Sequence, residues 1–462
     1  MIENQECSLF ESDQKYRSET LNIDCYSDQN DHIRILWEKL FSFSDPIESL
    51  IFLQRYVNLN IIDRINSHQA HFLISIFTEN VPASLKSQTS LFLASLFEKN
   101  PQAIHVFIES GFISIILPLF PKYHIASFLH YCAYESYNCS KYLIENNFVE
   151  ILGNLLQNLN RNNNVKTNDL PDDVVLEENE DEQFDDNFID FIQCAGSVCD
   201  LEEYSNITKK LEPILCSIAI NEENDWKIRS ESIHSLAILI RRSRQSCQNF
   251  IESSSLLNII APLCEINNYY LEAMCNLIGA ILNHTDIMND ELFERLTNFL
   301  FTFLKITKSE NCLILISNAI SDASSNQRFS MKCISIGIIS ILFQIYDTDG
   351  SWDLKINIFE SILKVFSYTC LVVIDFFNQH NFFNFLLNNI TEMCCCNGYA
   401  IALALDSIIN MISVTENTNL VEFLLHPEIE EAVEMLVSSD DLEIRYKSER
   451  ISEFIQNIDN FE

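Results

Sequence analysis

Apolar residues in this chain fall into short blocks built on one plan. In Phe112-Ile113-Ser114-Ile115-Ile116, two apolar residues, one polar position and two more apolar residues follow each other. The plan recurs as Phe148–Leu152, Leu256–Ile260, Ile338–Leu342 and Phe382–Leu386, each preceded by Gly111, Asn147, Ser255, Gly337 or Asn381. Successive blocks lie 36, 108, 82 and 44 residues apart, which fits one, three, two and one periods of about 36 to 44. A period of that length marks stacked supersecondary units. Within one unit the pattern predicts a helix over Leu85–Lys99, a stop at Asn100-Pro101, a second helix ending at Ser110-Gly111 and a third from Phe112. Gly or Asn suits that corner because the residue after a helix often takes a left-handed conformation; Ser255 suits it less. Trp226 and Trp352 give the same register independently. Each follows a capping residue, Asp225 or Ser351, and has an apolar residue ten positions on, Leu236 or Ile362. The two tryptophans are 126 residues apart, three periods of 42.

The rhythm divides the chain. Residues 1–30 are polar and acidic without helical periodicity and are expected to form a disordered tail; 31–83 are expected to form a helical N-terminal cap. Repeats are expected over 84–157 and 187–437, with a C-terminal capping helix over 438–462, since terminal units must present a polar face to water. Residues 158–186 break the pattern. From 167 to 190 there are eleven acidic residues and no Lys or Arg, a composition too poor in apolar surface to offset its ordering entropy. A disordered acidic insertion is expected there.

Composition agrees with an all-helical chain. Seven Gly and nine Pro in 462 residues leave few turns and few helix breaks. A compact core at this length would normally split into domains, whereas stacked units lengthen a core without thickening it. A net charge of −37 speaks against nucleic acid and anionic membrane as partners, since both call for basic surface. The N-terminal residues lack the features of a secretory signal, so the sixteen cysteines are expected to be free thiols in a reducing compartment. The longest apolar stretch, Cys333–Tyr346, falls short of the ~20 residues that span a bilayer. A cytoplasmic location is expected, with the nucleus as the alternative.

Asn100–Phe120 resembles the first two helices of an armadillo unit, and Ile228–Leu239 and Leu271–Ile281 resemble its third. The resemblance covers roughly residues 84–437, and HEAT repeats are a close structural alternative. It implies an all-α, right-handed α-α superhelix of the armadillo/HEAT-like kind. Third helices of the family carry a Leu-x-Asn-Leu signature whose asparagine faces a concave groove. Met274–Leu277, Ile316–Ala319 and Ile409–Met411 resemble it, so the resemblance makes Asn276, Asn318 and Asn410 candidate peptide-binding residues. Ser95, Tyr131, Ile238 and Val365 depart from it at the corresponding places. The import adaptors of the family have a groove tryptophan four residues before that asparagine. Here Glu272, Ile314 and Asp406 hold those places, which argues against a receptor for nuclear-localisation signals.

Asparagine carries donors and an acceptor, so a row of them can bond the backbone of an extended peptide; bonding to neighbouring helices is the other reading. A second candidate is basic: Lys227 and Arg229 open one helix and Arg241, Arg242 and Arg244 close it. Arginine forks suit carboxylates, so these five residues form a candidate patch for an acidic partner, the acidic insertion among them. Helix-end electrostatics explains the same cluster without a ligand. Metal and catalytic motifs are absent: Cys394-Cys395-Cys396 are adjacent rather than paired, and no phosphate loop or nucleophile elbow appears. No cofactor is expected. The expected function is a non-catalytic scaffold or adaptor binding other proteins, its oligomeric state left open. The alternatives are an import-type transport adaptor, or a regulatory subunit or enzyme with a site assembled from distant repeats. An acidic groove would call for an extended basic partner instead of an acidic one.

Overall fold

The computed structural model describes residues 26–62, 64–165, 188–253, 256, 259, 268–348, 350–380, 382–393, 398–414 and 418–459. Among these there is no β-strand. They fall into two compact units, one reaching to Phe148 and including residues 188–198, the other running from Val149 to 165 and from Cys199 onward.

The first unit contains α1 (Tyr26–Phe41), α2 (Pro46–Asn58), α3 (Ser67–Thr78), α4 (Ala83–Lys99), α5 (Gln102–Glu109), α6 (Phe112–Ile116), α7 (Ala126–Glu135) and α8 (Tyr137–Glu145). Helix α2 packs on α4, and α4 on α7. Between α5 and α6 the chain bends by 71° at Gly111, whose φ of 73° is the left-handed value a corner glycine permits. Asn147 makes the equivalent corner with φ 62°. The core is phenylalanine-rich: Phe112 stacks on Phe128 at 5.5 Å, Phe97 meets Phe107 edge-on at 5.2 Å, and Phe120 meets Phe191 at 5.6 Å. Helix α1 starts inside the expected tail, while residues 1–25 lie outside the described ones.

Helix α9 (Phe148–Val165) runs on through 158–165, the opening of the expected insertion. The physical reason is Asn160. Its side chain is buried and bonds Ser217 Oγ at 3.0 Å, while its Oδ1 accepts from Asn221 and Asn224 at 2.9 and 3.0 Å. A stretch that looks like a loop is helical here because the amide of its buried Asn160 is satisfied internally. The acidic remainder from 166 lies outside the described residues.

Beyond α10 (Phe188–Cys199), the second unit contains α11 (Glu212–Ile220), α12 (Trp226–Arg242), α13 (Arg244–Glu252), α14 (Asn268–Leu282), α15 (Asp290–Ile306), α16 (Glu310–Ala323), α17 (Gln327–Ser335), α18 (Ile338–Tyr346), α19 (Trp352–Gln379), α20 (Phe382–Met393), α21 (Gly398–Val414), α22 (Thr418–Leu424), α23 (Pro427–Val437) and α24 (Leu442–Asp459). Helices α12, α14, α16, α19, α21 and α24 form a row in which each packs on the next. The first four begin at Trp226, Asn268, Glu310 and Trp352, one 42-residue period apart. Asp225 caps α12 by accepting from Ile228 N–H at 2.8 Å, and Ser351 caps α19 by accepting from Leu354 N–H at 3.2 Å. Leu236 and Ile362 are both fully buried. Between α17 and α18 the chain bends by 72° at Gly337, φ 86°. The corners at Ser255 and Asn381 fall outside the described residues.

Helix α19 departs from a three-helix unit: it runs 28 residues without a break. The stretch Val365–Gln379 contains no Gly or Pro to end a third helix and start the next first helix, so the two fuse.

Candidate functional site

The row of helices leaves one stripe of side chains uncovered. In α12, α14, α16, α19 and α21 the second residue, and those three or four and seven positions later, are half-buried or exposed. In all but α14 the stripe continues at eleven. That spacing keeps them on one helix face. The stripe reads Lys227, Glu231, His234 and Ile238 on α12, and Tyr269, Glu272 and Asn276 on α14. It continues as Asn311, Ile314, Asn318 and Asp322 on α16. On α19 it is Asp353, Asn357, Glu360 and Lys364, and on α21 Tyr399, Ala402, Asp406 and Asn410.

Asn276 and Asn318 therefore occupy the same rung, 42 residues apart, with His234 and Glu360 one period to either side. Asn410 lies 92 residues after Asn318, eight beyond two such periods, so it is off this rung. The residues at this rung that the asparagine signature misses, His234 and Glu360, lie 42 residues from Asn276 and Asn318, so the tryptophan spacing was the signal that locates them. Asn276 is engaged within the protein. Its Oδ1 accepts from Arg241 Nη2 at 2.8 Å, and its Nδ2 lies 3.2 Å from His234 Nδ1. Burial holds His234 down to about 4, so the imidazole is neutral near pH 7 and Nδ1 is free to accept. Asn318 is exposed and Asn410 half-buried.

The five basic candidates do not form one open patch. Arg229 is only 5% exposed. Its Nε donates to Ala219 O at 2.9 Å, and its guanidinium lies 4.5 Å from the Trp226 ring and 5.3 Å from that of Tyr270. The other arginines each meet an aspartate: Arg241 with Asp322 at 3.4 Å, Arg242 with Asp200 at 2.9 Å and Arg244 with Asp286 at 2.6 Å. Lys227 is exposed. Stacking hides one cation, and local carboxylates absorb three more.

What remains on the stripe is acidic. The stripe carries Glu231, Glu272, Asp322, Asp353, Glu360 and Asp406 against two basic residues, Lys227 and Lys364, with Arg241 one turn beyond it on α12. Arg241 is tied to Asp322, and Lys447 of α24 reaches Asp406 at 2.7 Å. Glu272 and Asp353 have no ion pair among the described residues. Tyr269 and Tyr399 are 67% and 53% exposed beside these carboxylates, and Lys364 Nζ sits 5.4 Å from the Tyr399 ring. The stripe thus already holds one cation on an aromatic face.

In the first unit the matching polar contacts are Gln54 Nε2 to Ser95 Oγ at 2.8 Å and Gln88 Nε2 to Gln54 Oε1 at 3.1 Å. Ser95 thus bonds the neighbouring helix where the signature has asparagine. Burial raises the Tyr131 hydroxyl, and the Glu98 and Asp190 carboxylates add to the rise.

Nine cysteines, Cys132, Cys139, Cys194, Cys199, Cys216, Cys247, Cys275, Cys312 and Cys333, are buried and form no disulfide. Burial pushes Cys139 and Cys247 up to about 12 and raises Cys132 and Cys194 as well, so these are protonated, unreactive thiols. Cys394–Cys396 lie outside the described residues. Among the described residues no three His, Cys, Asp or Glu side chains are grouped to hold a metal ion. No single helix among them is long and apolar enough to cross a membrane.

No family model matches the sequence, and no curated protein does. Among solved structures, importin beta crystallised from ammonium sulfate is similar at a TM-score of 0.57 and 10% identity, over 92% of this chain and 53% of that one. Importin beta crystallised from polyethylene glycol is similar at 0.57 and 11%, over 93% and 54%. The chain spans about half the length of importin beta. A designed armadillo repeat protein, YIII(Dq)4CqI, is similar at 0.42 and 19%, over 53% of this chain and 99% of that one. At such identities the importin beta likeness is one of fold, and it agrees with the 42-residue helical period and the corners at Gly111, Asn147 and Gly337. The chain has an armadillo/HEAT-like helical repeat fold.

Proposed function

We propose that this protein is a non-catalytic scaffold that binds another protein through the uncovered stripe of its second unit, and that the bound segment is extended and basic. The observation that carries the reading is the excess of acid on one face of five helices of the row, with tyrosines beside the carboxylates. Carboxylates held on a rigid row need no reorganisation to meet lysine or arginine, so little of the ordering cost falls on the scaffold. Exposed tyrosine rings offer the same side chains a cation–π surface. The acidic-partner alternative is less favoured because Arg229 is buried and each of three other arginines has an aspartate beside it that an acidic partner would have to displace. Likeness to importin beta is a likeness of fold and adds nothing about the partner.

The test is titration of an octapeptide of alternating lysine and arginine, followed by fluorescence anisotropy, beside an octapeptide of alternating glutamate and serine. The basic peptide should bind, and its affinity should fall as salt screens the stripe. The double variant Glu272→Gln/Glu360→Gln should weaken it several-fold. Preference for the acidic peptide, or no effect of the double variant, would overturn the proposal.

A further inference from the structure

Arg241 does something on the stripe that neither helix-end electrostatics nor packing requires. Its side chain leaves α12, crosses the rung at Asn276 on α14 and reaches Asp322 on α16, two helices along the row. Nη2 donates to Asn276 Oδ1 at 2.8 Å and lies 3.4 Å from Asp322 Oδ2. The orientation of Asn276 is fixed from the other side. Neutral His234 Nδ1 accepts from the Asn276 amide nitrogen, leaving Oδ1 turned toward the arginine. A carbonyl-type oxygen and a carboxylate on adjacent helices therefore converge on a single cation. Asn318, one turn before Asp322 on α16, is exposed beside them.

The arginine fills this place imperfectly. Its Nε is buried without a hydrogen-bond partner, and a buried unsatisfied donor is costly. Its side chain and that of Asp322 are 35% and 37% exposed, and half-exposed ion pairs hold weakly because water screens them. The pose is stable enough to be the resting one and loose enough to be exchanged. A long, single-bonded stem lets the guanidinium swing out to solvent without moving the helix.

We infer that Asn276 Oδ1 and the Asp322 carboxylate form a subsite for one lysine or arginine side chain of a bound segment, and that Arg241 occupies it as an internal stand-in when no partner is present. The inference rests on the proposed binding of a basic segment to the stripe. Arg241 then sets specificity. A partner gains at this rung only what its own cation offers beyond that of Arg241, so weakly basic segments are held off.

The alternating lysine–arginine octapeptide is the probe, titrated against the full chain, Arg241→Ala, Arg241→Gln, Asp322→Asn and the double variant Arg241→Ala/Asp322→Asn, with thermal melts of each. Arg241→Ala should bind three- to tenfold more tightly than the parent. Arg241→Gln, which keeps a donor for Asn276 without the charge, should change affinity in the same direction, so that a folding defect in the alanine variant does not decide the matter. Adding Asp322→Asn to Arg241→Ala should remove the gain. If the parent binds and both Arg241 variants bind equally or more weakly, Arg241 is a structural pin and the subsite is overturned while stripe binding stands. If no variant binds the peptide, both readings fall together.

Discussion

Glu212 lies in the first turn of α11 with 9% of its surface exposed, and burial pushes its carboxyl up to about 7. Between its ordinary value of 4.5 and about 7 the folded state therefore holds more protons at this site than the unfolded chain. Stability conferred here is full at low pH and is lost as pH rises through about 7. Glu212→Gln should accordingly leave the urea midpoint unchanged at pH 4 and raise stability by roughly 1–2 kcal/mol at pH 8, after allowance for solvent screening. A larger gain at pH 4 than at pH 8 would show the carboxyl to be charged and paired. His130 and His234 act in the opposite direction. Burial holds both down to about 4, so the unfolded chain takes up their protons first and stability falls as pH drops from 6.5 toward 4. Corner residues give a separate check. Gly337 has φ 86° and nothing within 4 Å of where a Cβ would stand, so Gly337→Ala isolates backbone strain. It should cost about 1–2 kcal/mol in a denaturant melt, with no change in helix content. The corners at Gly111, Asn147 and Gly337 were legible because a left-handed residue has a narrow choice of side chain. The pairing of Arg241 was not, because its aspartate lies 81 positions away in the chain.

Helix against helix, a close approach occurs at Gly279 of α14. A Cβ there would stand 2.6 Å from Ala319 Cβ and 2.8 Å from its Cα on α16, so two helices of the row meet backbone to backbone. Gly279→Ala should push them apart and cost about 1–3 kcal/mol. Ala319→Gly in the same chain should recover part of that loss, a coupling that a double-mutant cycle reads as non-additive melting midpoints. Additive midpoints would mean that the contact is looser than the geometry shows. Asn160 on α9 offers a second test. Asn160→Ala strips a buried acceptor from Asn221 and Asn224 and should destabilise by about 1–3 kcal/mol. Element boundaries were readable wherever a cap or a corner residue marks them, as at Asp225 and Ser351. They were not readable at Asn160, whose partners lie 57 to 64 residues away. The asparagine signature found Asn276 and Asn318 on one rung, but its third match, Asn410, lies eight residues off the 42-residue spacing. A signature of four residues fixes a helix face, whereas only the 42-residue spacing fixes height along it.

For the protein as a whole, a formal charge of −37 says that basic partners are favoured and says nothing about where they bind. The architecture could be read in advance because stacked units repeat one local plan, and each copy reports on the others. The binding face could not, since its character depends on which charges are cancelled: Arg241, Arg242 and Arg244 look like an open basic cluster until their aspartates are placed. Carbodiimide labelling of carboxylates, with and without the alternating lysine–arginine octapeptide and read by mass spectrometry, tests the account most directly. Protection is expected at Glu272, Asp353 and Glu360, with Asp290 and Glu291 on α15 unchanged. Protection spread evenly over the acidic surface, or confined to helices outside the row, would contradict it.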